Sequence, residues 1–318
     1  MLMNELRRDY FLDRWVIIAT DRARRPSDFI KARDPPAGAQ GCSFCPGCED
    51  KTPPSKASYF DDSHRPDEPG KPPLTGWTVR VIPNLYPAVK QEGVMLMDGR
   101  GMTASGVHEV IVESPLHDHH PQFMSDGEVK RLFRVYKDRY AEIAGIPYIR
   151  YISLFRNYGR EAGASLAHAH SQLIALPIVP ENIKEQGGLD YGRVIAEESG
   201  SPRAILDTAH TLAIAPYASC YTYEAWVIPK RKRRNLAEMT DEERDDFAVT
   251  ARNVLARLSK LLSDPPYNYA FVQSVDDDVH MHLRIYPKLG IEAGFELNTR
   301  VHINSVTPES AAKSLREI

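Results

Sequence analysis

The sequence predicts an α+β fold made of a duplicated unit, a mostly antiparallel sheet flanked by helices. Three observations carry that prediction. Two stretches show the apolar period of a long one-sided helix, and each opens on a capping box, Ser125 with Glu128 and Thr240 with Glu243. Short β-patterned runs, not further helices, bracket each of them. Each block then ends on a His-x-His pair, His168/His170 and His280/His282. The shared order strand–helix–strand–HxH is the mark of an internal repeat, and the expected units are residues 1–180 and 181–318.

Taken in order, the segment from Asp34 to Pro73 is rich in Pro, Gly and Lys, lacks apolar periodicity and is expected to be irregular. Val79–Ile82 and Val107–Val112 read as strands. The first helix should bury Val129, Leu132, Phe133, Tyr136, Tyr140 and Ile143 and stop at Gly145 and Pro147. A strand over Tyr148–Phe155 follows. After it comes a loop holding Asn157-Tyr158-Gly159 and Gly163-Ala164-Ser165, and then a strand from His168 to Pro177. In the second block Glu224–Pro229 is a strand, and the helix opened by Thr240 should bury Phe247, Ala251, Val254, Leu258 and Leu261. Tyr269–Val272 and the run from His280 to Pro287 are its last strands. Thr307-Pro308-Glu309 opens a final short helix with Pro at the first helical position.

Composition narrows the class. The 318 residues carry 40 Lys and Arg against 43 Asp and Glu, a net charge of −3, which gives no general attraction to nucleic acid or to an anionic membrane. No apolar run approaches the ~20 residues needed to cross a bilayer, and the N-terminus lacks the apolar core of a signal peptide. A cytoplasmic protein is expected. Three of the four cysteines crowd into Cys42-Ser43-Phe44-Cys45-Pro46-Gly47-Cys48. Such a cluster suits a metal better than a disulfide framework.

The chemistry concentrates in His168-Ala169-His170-Ser171-Gln172. On a strand, alternate residues share a face, so these three polar side chains point one way. The small-residue loop before them lets backbone N–H groups approach an anion. Ser165 and Gln172 can donate to phosphate oxygens, and a neutral imidazole is a nucleophile at physiological pH. Cys42 and Cys45 have the spacing of half a structural zinc site, with His117, His119, His120 and His168 as candidates for the other half; a reduced, metal-free thiol cluster is the alternative. One histidine of the HxH pair could bind the metal while the other faces substrate.

These motifs together resemble the galactose-1-phosphate uridylyltransferase family, a branch of the histidine-triad superfamily. The resemblance spans nearly the whole chain. It rests on Asn157-Tyr158-Gly159, Gly163-Ala164-Ser165 and His168-Ala169-His170-Ser171-Gln172, with Arg22-Ala23-Arg24-Arg25-Pro26, the CxxC loop, Ser114-Pro115-Leu116-His117, His280-Met281-His282 and Gly294-Phe295-Glu296. It implies a fold of two histidine-triad-like repeats, assembled as a homodimer. It also implies ping-pong transfer of UMP from UDP-glucose to galactose 1-phosphate through a nucleotidyl-histidine. His170 would be the nucleophile, with Gln172 and Ser165 holding the transferred phosphate. Cys42, Cys45, His117 and His168 would bind Zn2+. Arg22 and Arg25 would reach the nucleotide phosphates, Asn84 the ribose and Glu296 the hexose, with Asn157 and Gly163 completing the substrate site. Gln172 stands where histidine-triad hydrolases carry a third histidine, which favours transfer over hydrolysis.

Asn84-Leu85-Tyr86-Pro87 and Asp264-Pro265-Pro266-Tyr267-Asn268-Tyr269 resemble a plant-type relative, an ADP-glucose phosphorylase, whose reaction is adenylyl transfer to phosphate. A non-catalytic nucleotide-binding zinc protein is the alternative of another class. Val272 stands where some relatives have a further metal-binding histidine, so His280/His282 are expected to be structural. The basic run Lys230–Arg234 reads as a solvated turn or as a nucleic-acid patch.

Overall fold

The computed structural model describes residues 4–22, 25–30, 38–61, 63–95 and 100–318. The chain opens with strands β1 (Glu5–Arg8) and β2 (Trp15–Ile18), then β3 (Ala57–Tyr59), β4 (His64–Arg65), β5 (Val79–Pro83) and β6 (Val107–Val112). Helix α1 (Asp126–Ala144) leads to β7 (Tyr151–Tyr158) and β8 (His170–Leu176). Helices α2 (Glu181–Lys184) and α3 (Tyr191–Glu198) precede β9 (Ala204–Asp207), β10 (Thr211–Ile214) and β11 (Ala225–Pro229). Helix α4 (Asp241–Leu262), β12 (Tyr267–Val272) and β13 (His282–Pro287) follow, then α5 (Gly294–Thr299), β14 (His302–Asn304) and α6 (Pro308–Arg316).

Both long helices start where their caps dictate. Ser125 accepts from the Glu128 N–H while Glu128 reaches back to the Ser125 backbone, and Thr240 and Glu243 do the same for α4. This reciprocal capping satisfies two N–H groups that a helix start leaves without partners. The expected apolar stripe of α1, Val129 to Ile143, is buried throughout.

The main sheet has 11 strands in the order β4-β3-β5-β6-β8-β7-β12-β13-β11-β10-β9. At its centre β7 pairs antiparallel with β12, Asn157 opposite Asn268. Outward from that pair the succession β8-β6-β5 on one side matches β13-β11-β10 on the other. The duplicated units are therefore related by a pseudo-twofold axis between β7 and β12. Antiparallel pairing across this axis sends the two HxH pairs to opposite ends of the sheet.

One face of the sheet is covered by α1 and α4. Leu173 and Ala175 of β8, Ile152 and Leu154 of β7 and Phe271 of β12 belong to a core cluster with Phe133 of α1 and Phe247 of α4. The Phe133 and Phe247 rings lie 6.1 Å apart, so the two units share one core. The opposite face carries the alternate residues, His170, Gln172, Asn157 and Asn268 among them. Period-2 alternation thus separates packing from chemistry.

Several boundaries differ from the sequence reading. The strand ahead of the loop runs to Tyr158, because its end pairs with β12 and takes Asn157 out of the loop. His168 and His280 precede their strands, which begin at His170 and His282. The irregular segment contributes β3 and β4 to the sheet edge. A small sheet, β1-β2-β14 with β14 parallel to β2, was not anticipated, since strands of three or four residues are too short to show a period. The basic run is a turn in which four of the five charges are paired, Lys230 with Asp207, Lys232 with Asp278, Arg233 with Glu243 and Arg234 with Glu238. Among the described residues no helix is long and apolar enough to cross a membrane.

Candidate active site and metal centre

Loop, bend and strand end bring Cys42, Cys45, His117 and His168 together, their ligand atoms all within 4.8 Å of one another. His168 Nδ1 lies 3.6 Å from Cys42 Sγ and 3.5 Å from Cys45 Sγ, and His117 Nδ1 lies 3.4 Å from Cys45 Sγ. A tetrahedral ion with M–S of about 2.3 Å and M–N of about 2.0–2.1 Å would set N and S about 3.5 Å apart, so the four side chains already have the spacing of a ligand set. The outer ring nitrogen of His168 donates to the Ser114 carbonyl at 2.8 Å, which leaves Nδ1 unprotonated toward the thiols. Burial and the neighbouring Cys42 push the Cys45 thiol up to about 11, which favours the neutral thiol, whereas a bound cation would favour the thiolate. Cys48 stands outside the set. The rest of the histidine tract is occupied otherwise: His119 contacts Glu128, and His120 bridges Asp118 and Arg156.

The metal loop and His170 are joined through Phe44. Its ring lies edge-on to His170 with centroids 5.6 Å apart and to His168 at 6.0 Å. His170 Nδ1–H donates to the His168 carbonyl at 2.8 Å. That bond fixes the tautomer and leaves the Nε2 lone pair unprotonated. Among the described residues no protein donor reaches Nε2. Burial, aided by the Arg156 guanidinium, lowers the His170 pKa and favours the neutral ring. Beneath the strand Arg156 donates to Glu113, which also accepts from Tyr136; this closed pair is buried.

Around His170 the polar groups are side-chain amides and a glycine loop. Gln172 shares its face. Asn157 lies on the next strand, and its amide nitrogen is 3.9 Å from where a Gly163 Cβ would stand. Gly159 and Gly163 both have positive φ, +83° and +86°. Gly159 has a second reason to lack a side chain: a Cβ would meet Pro266 at 2.7 Å. Ser165 is exposed in the same loop. Asn84, after β5, stands 3.0 Å from His108 Nε2, and Gln172 Oε1 stands 3.0 Å from that same atom.

Arg22, Arg25 and Glu296 lie outside this cluster. Arg22 and Arg25 are exposed beyond β2, and Glu296 sits on α5, just before β14, which pairs with β2. Arg22 follows β2 and Glu296 precedes β14 in the chain, whereas Arg25 leads into the turn Pro26–Phe29, whose Phe29 ring meets Tyr223 at 6.2 Å. Pro287, the last residue of β13, lies at the His170 end of the main sheet, three strand spacings from β8, or about 14 Å. His108 and Asn268 are site residues that the sequence reading missed. Alternation in Val107-His108-Glu109 puts His108 on the open face, but no motif marks it.

Comparison with known proteins follows the same lines. The chain matches the model of the galactose-1-phosphate uridyl transferase N-terminal domain over residues 84–180 and that of its C-terminal domain over residues 151–318. It is 34% identical to the ADP-glucose phosphorylase of Arabidopsis thaliana, over 99% of this chain and 93% of that protein. It is 29% identical to the galactose-1-phosphate uridylyltransferase of Thermotoga maritima, over 99% and 98%. The crystal structure of the Arabidopsis phosphorylase with bound ADP-glucose superposes with a TM-score of 0.80 at 31% identity, covering 99% of both chains. A uridylyltransferase structure gives 0.73 at 26% identity, over 99% of this chain and 98% of the other.

Proposed function

Because this chain belongs to the galactose-1-phosphate uridyl transferase family, we propose that it moves a nucleotidyl group through a covalent intermediate on His170. Membership makes it a nucleotidyltransferase; the carrier, the donor and the acceptor are our reading. The observation that carries it is the His170 tautomer, Nδ1–H tied to the His168 carbonyl and the Nε2 lone pair turned to a face rich in donors.

In the first half-reaction Nε2 attacks the α-phosphorus of a sugar nucleotide. A P–N bond forms, the P–O bond to the β-phosphate breaks, and the sugar 1-phosphate leaves with the electron pair. In the second, an oxygen of a phosphate acceptor attacks the same phosphorus and the P–N pair returns to Nε2. No general base is needed, because the attacking nitrogen is already unprotonated. Gln172, Ser165, Asn157 and the backbone at Gly163 donate to the phosphoryl oxygens, and Asn84 holds the ribose. Gln172 cannot deliver a proton to a leaving group as histidine could, which suits transfer rather than hydrolysis.

Cys42, Cys45, His117 and His168 would hold zinc, for which two thiolates and two imidazoles form a closed structural set. Zinc there would supply rigidity to the bend that leads into His170. Residues 1–180 then carry the chemistry, and residues 181–318 buttress it through β12. Arg22, Arg25 and Glu296, which lie outside the His170 cluster, are assigned to the substrate site of a second copy in a homodimer, and exposed Ile291, Phe295 and Leu297 around Glu296 offer apolar surface for that contact.

Adenylyl transfer from ADP-glucose to phosphate is the first reading of the substrates, supported by the likeness to the Arabidopsis phosphorylase and by Asn84-Leu85-Tyr86-Pro87. Uridylyl transfer from UDP-glucose to galactose 1-phosphate is the second, supported by the family models and the Thermotoga relative. Intact-mass measurement after incubation with each donor tests both. An AMP adduct discharged by phosphate supports the first, and a UMP adduct discharged by galactose 1-phosphate supports the second. Full recovery of both donors with no adduct would overturn the covalent mechanism.

A further inference from the structure

The amides that flank His170 are each held with the oxygen turned inward. The backbone settles both cases. The Ala88 N–H donates to His108 Nδ1 at 3.0 Å, so that nitrogen carries a lone pair. A neutral His108 must then be protonated on Nε2, and Nε2–H donates to Gln172 Oε1 at 3.0 Å. On the other side Asn268 faces the Ala162 carbonyl at 2.7 Å, which only its NH2 can satisfy. The same NH2 therefore donates to Asn157 Oδ1 at 2.9 Å. Asn84 follows the pattern, since its Oδ1 accepts from the Tyr86 N–H at 2.9 Å. Its NH2 meets the protonated Nε2 of His108 and finds no acceptor there.

We infer that His108 and Asn268 are positioning residues that lock the Gln172 and Asn157 amides with their NH2 groups outward, so that a bound phosphate meets donors only. An amide turned over would present lone pairs to phosphate oxygens and repel them. His108 acts from β6, and Asn268 acts from the second repeat across the β7–β12 pair. The β12 strand thereby supplies a functional service to a site on the first repeat. The inference rests on reading this face as a phosphate cradle.

A double-mutant cycle tests it. His108→Leu and Gln172→Ala should each lower nucleotidyl transfer, by about 10-fold and about 100-fold. The double variant should match Gln172→Ala alone, because His108 works through that amide. Losses that multiply would overturn the inference. The cycle Asn268→Ala with Asn157→Ala should behave in the same way. A second readout needs no variant and no turnover. Long-range proton–nitrogen spectra of histidine-labelled wild-type protein should show His108 as the Nε2–H tautomer, and an Nδ1–H signal overturns the assignment. If the wild type forms no adduct, the catalytic reading fails by itself. The spectrum and the same cycles read on ADP-glucose and UDP-glucose affinity still decide the positioning roles.

Discussion

The two HxH sites share one backbone frame and differ in what meets the last imidazole nitrogen. In the first, His168 Nε2–H donates to the Ser114 carbonyl and His170 Nδ1–H to the His168 carbonyl, both at 2.8 Å. In the second, His280 donates to the Pro229 carbonyl at 2.8 Å and His282 to the His280 carbonyl at 2.9 Å. The frame is therefore a way of opening an antiparallel strand, indifferent to chemistry. Two residues further on the sites part. Gln172 leaves His170 Nε2 alone, whereas Arg284 Nε donates to His282 Nε2 at 2.9 Å. The Arg284 guanidinium also lies 4.3 Å over Trp226, and Tyr191 packs against the His282 ring at 4.8 Å. A cation on the lone pair and aromatic rings on the faces remove the second histidine as nucleophile and as metal ligand. Buried Glu224 accepts from Trp226 Nε1 at 2.7 Å, and burial raises its pKa.

This contrast can be broken most directly by removing each histidine. His170→Ala should abolish the mass adduct and lower transfer by more than about 1,000-fold. His282→Ala should leave the adduct intact and show instead in denaturation, as a loss of about 2–4 kcal/mol from a buried cavity. An adduct that survives the first change, or vanishes only with the second, reverses the roles assigned to the two sites.

Metal removal is the next largest effect. Cys42→Ser combined with Cys45→Ser should eliminate bound zinc in an elemental assay of freshly purified protein. It should also lower the melting temperature by several degrees, on the order of 2–4 kcal/mol. Arg284→Gln should leave the metal content unchanged, because the four candidate ligands, Cys42, Cys45, His117 and His168, lie at the other HxH site. Metal retained by the double serine variant would place the ligand set elsewhere.

The smallest change sharpens the comparison. Arg284→Gln gives the second site the residue that follows the first. It should cost about 1–2 kcal/mol through the lost bond and the lost contact with Trp226. No second adduct should appear on intact mass, because Tyr191 and Trp226 still close the site. A doubly adducted protein would show that Arg284 alone had silenced His282.

Much of this was legible along the chain. The helices and their caps are local: Ser125 with Glu128 and Thr240 with Glu243 are three residues apart, and the apolar stripe of α1 recurs within a turn. The CxxC spacing and the HxHxQ alternation are equally local, and both named a chemistry before any contact was known. The short strands β1, β2 and β14 were not legible, because too few residues sample the period and the partner of β2 lies at the far end of the chain.

What the sequence by itself determined was the duplicated α+β plan, the nucleophile candidate and half of a metal site, since each depends on residues within a few positions of one another. Spacing alone left four histidines as partners for the thiols; the family resemblance singled out His117 and His168, and the tertiary structure brings those two of the chain's 11 histidines to Cys42 and Cys45. It alone placed Arg284 on His282. It also brought His108 to Gln172 across 64 residues and Asn268 to Asn157 across 111. Those pairings depend on strand order and register, and register is set by the whole sheet closing on a shared core. The direction in which an amide points is set in the same way, by which backbone N–H or carbonyl the fold leaves beside it.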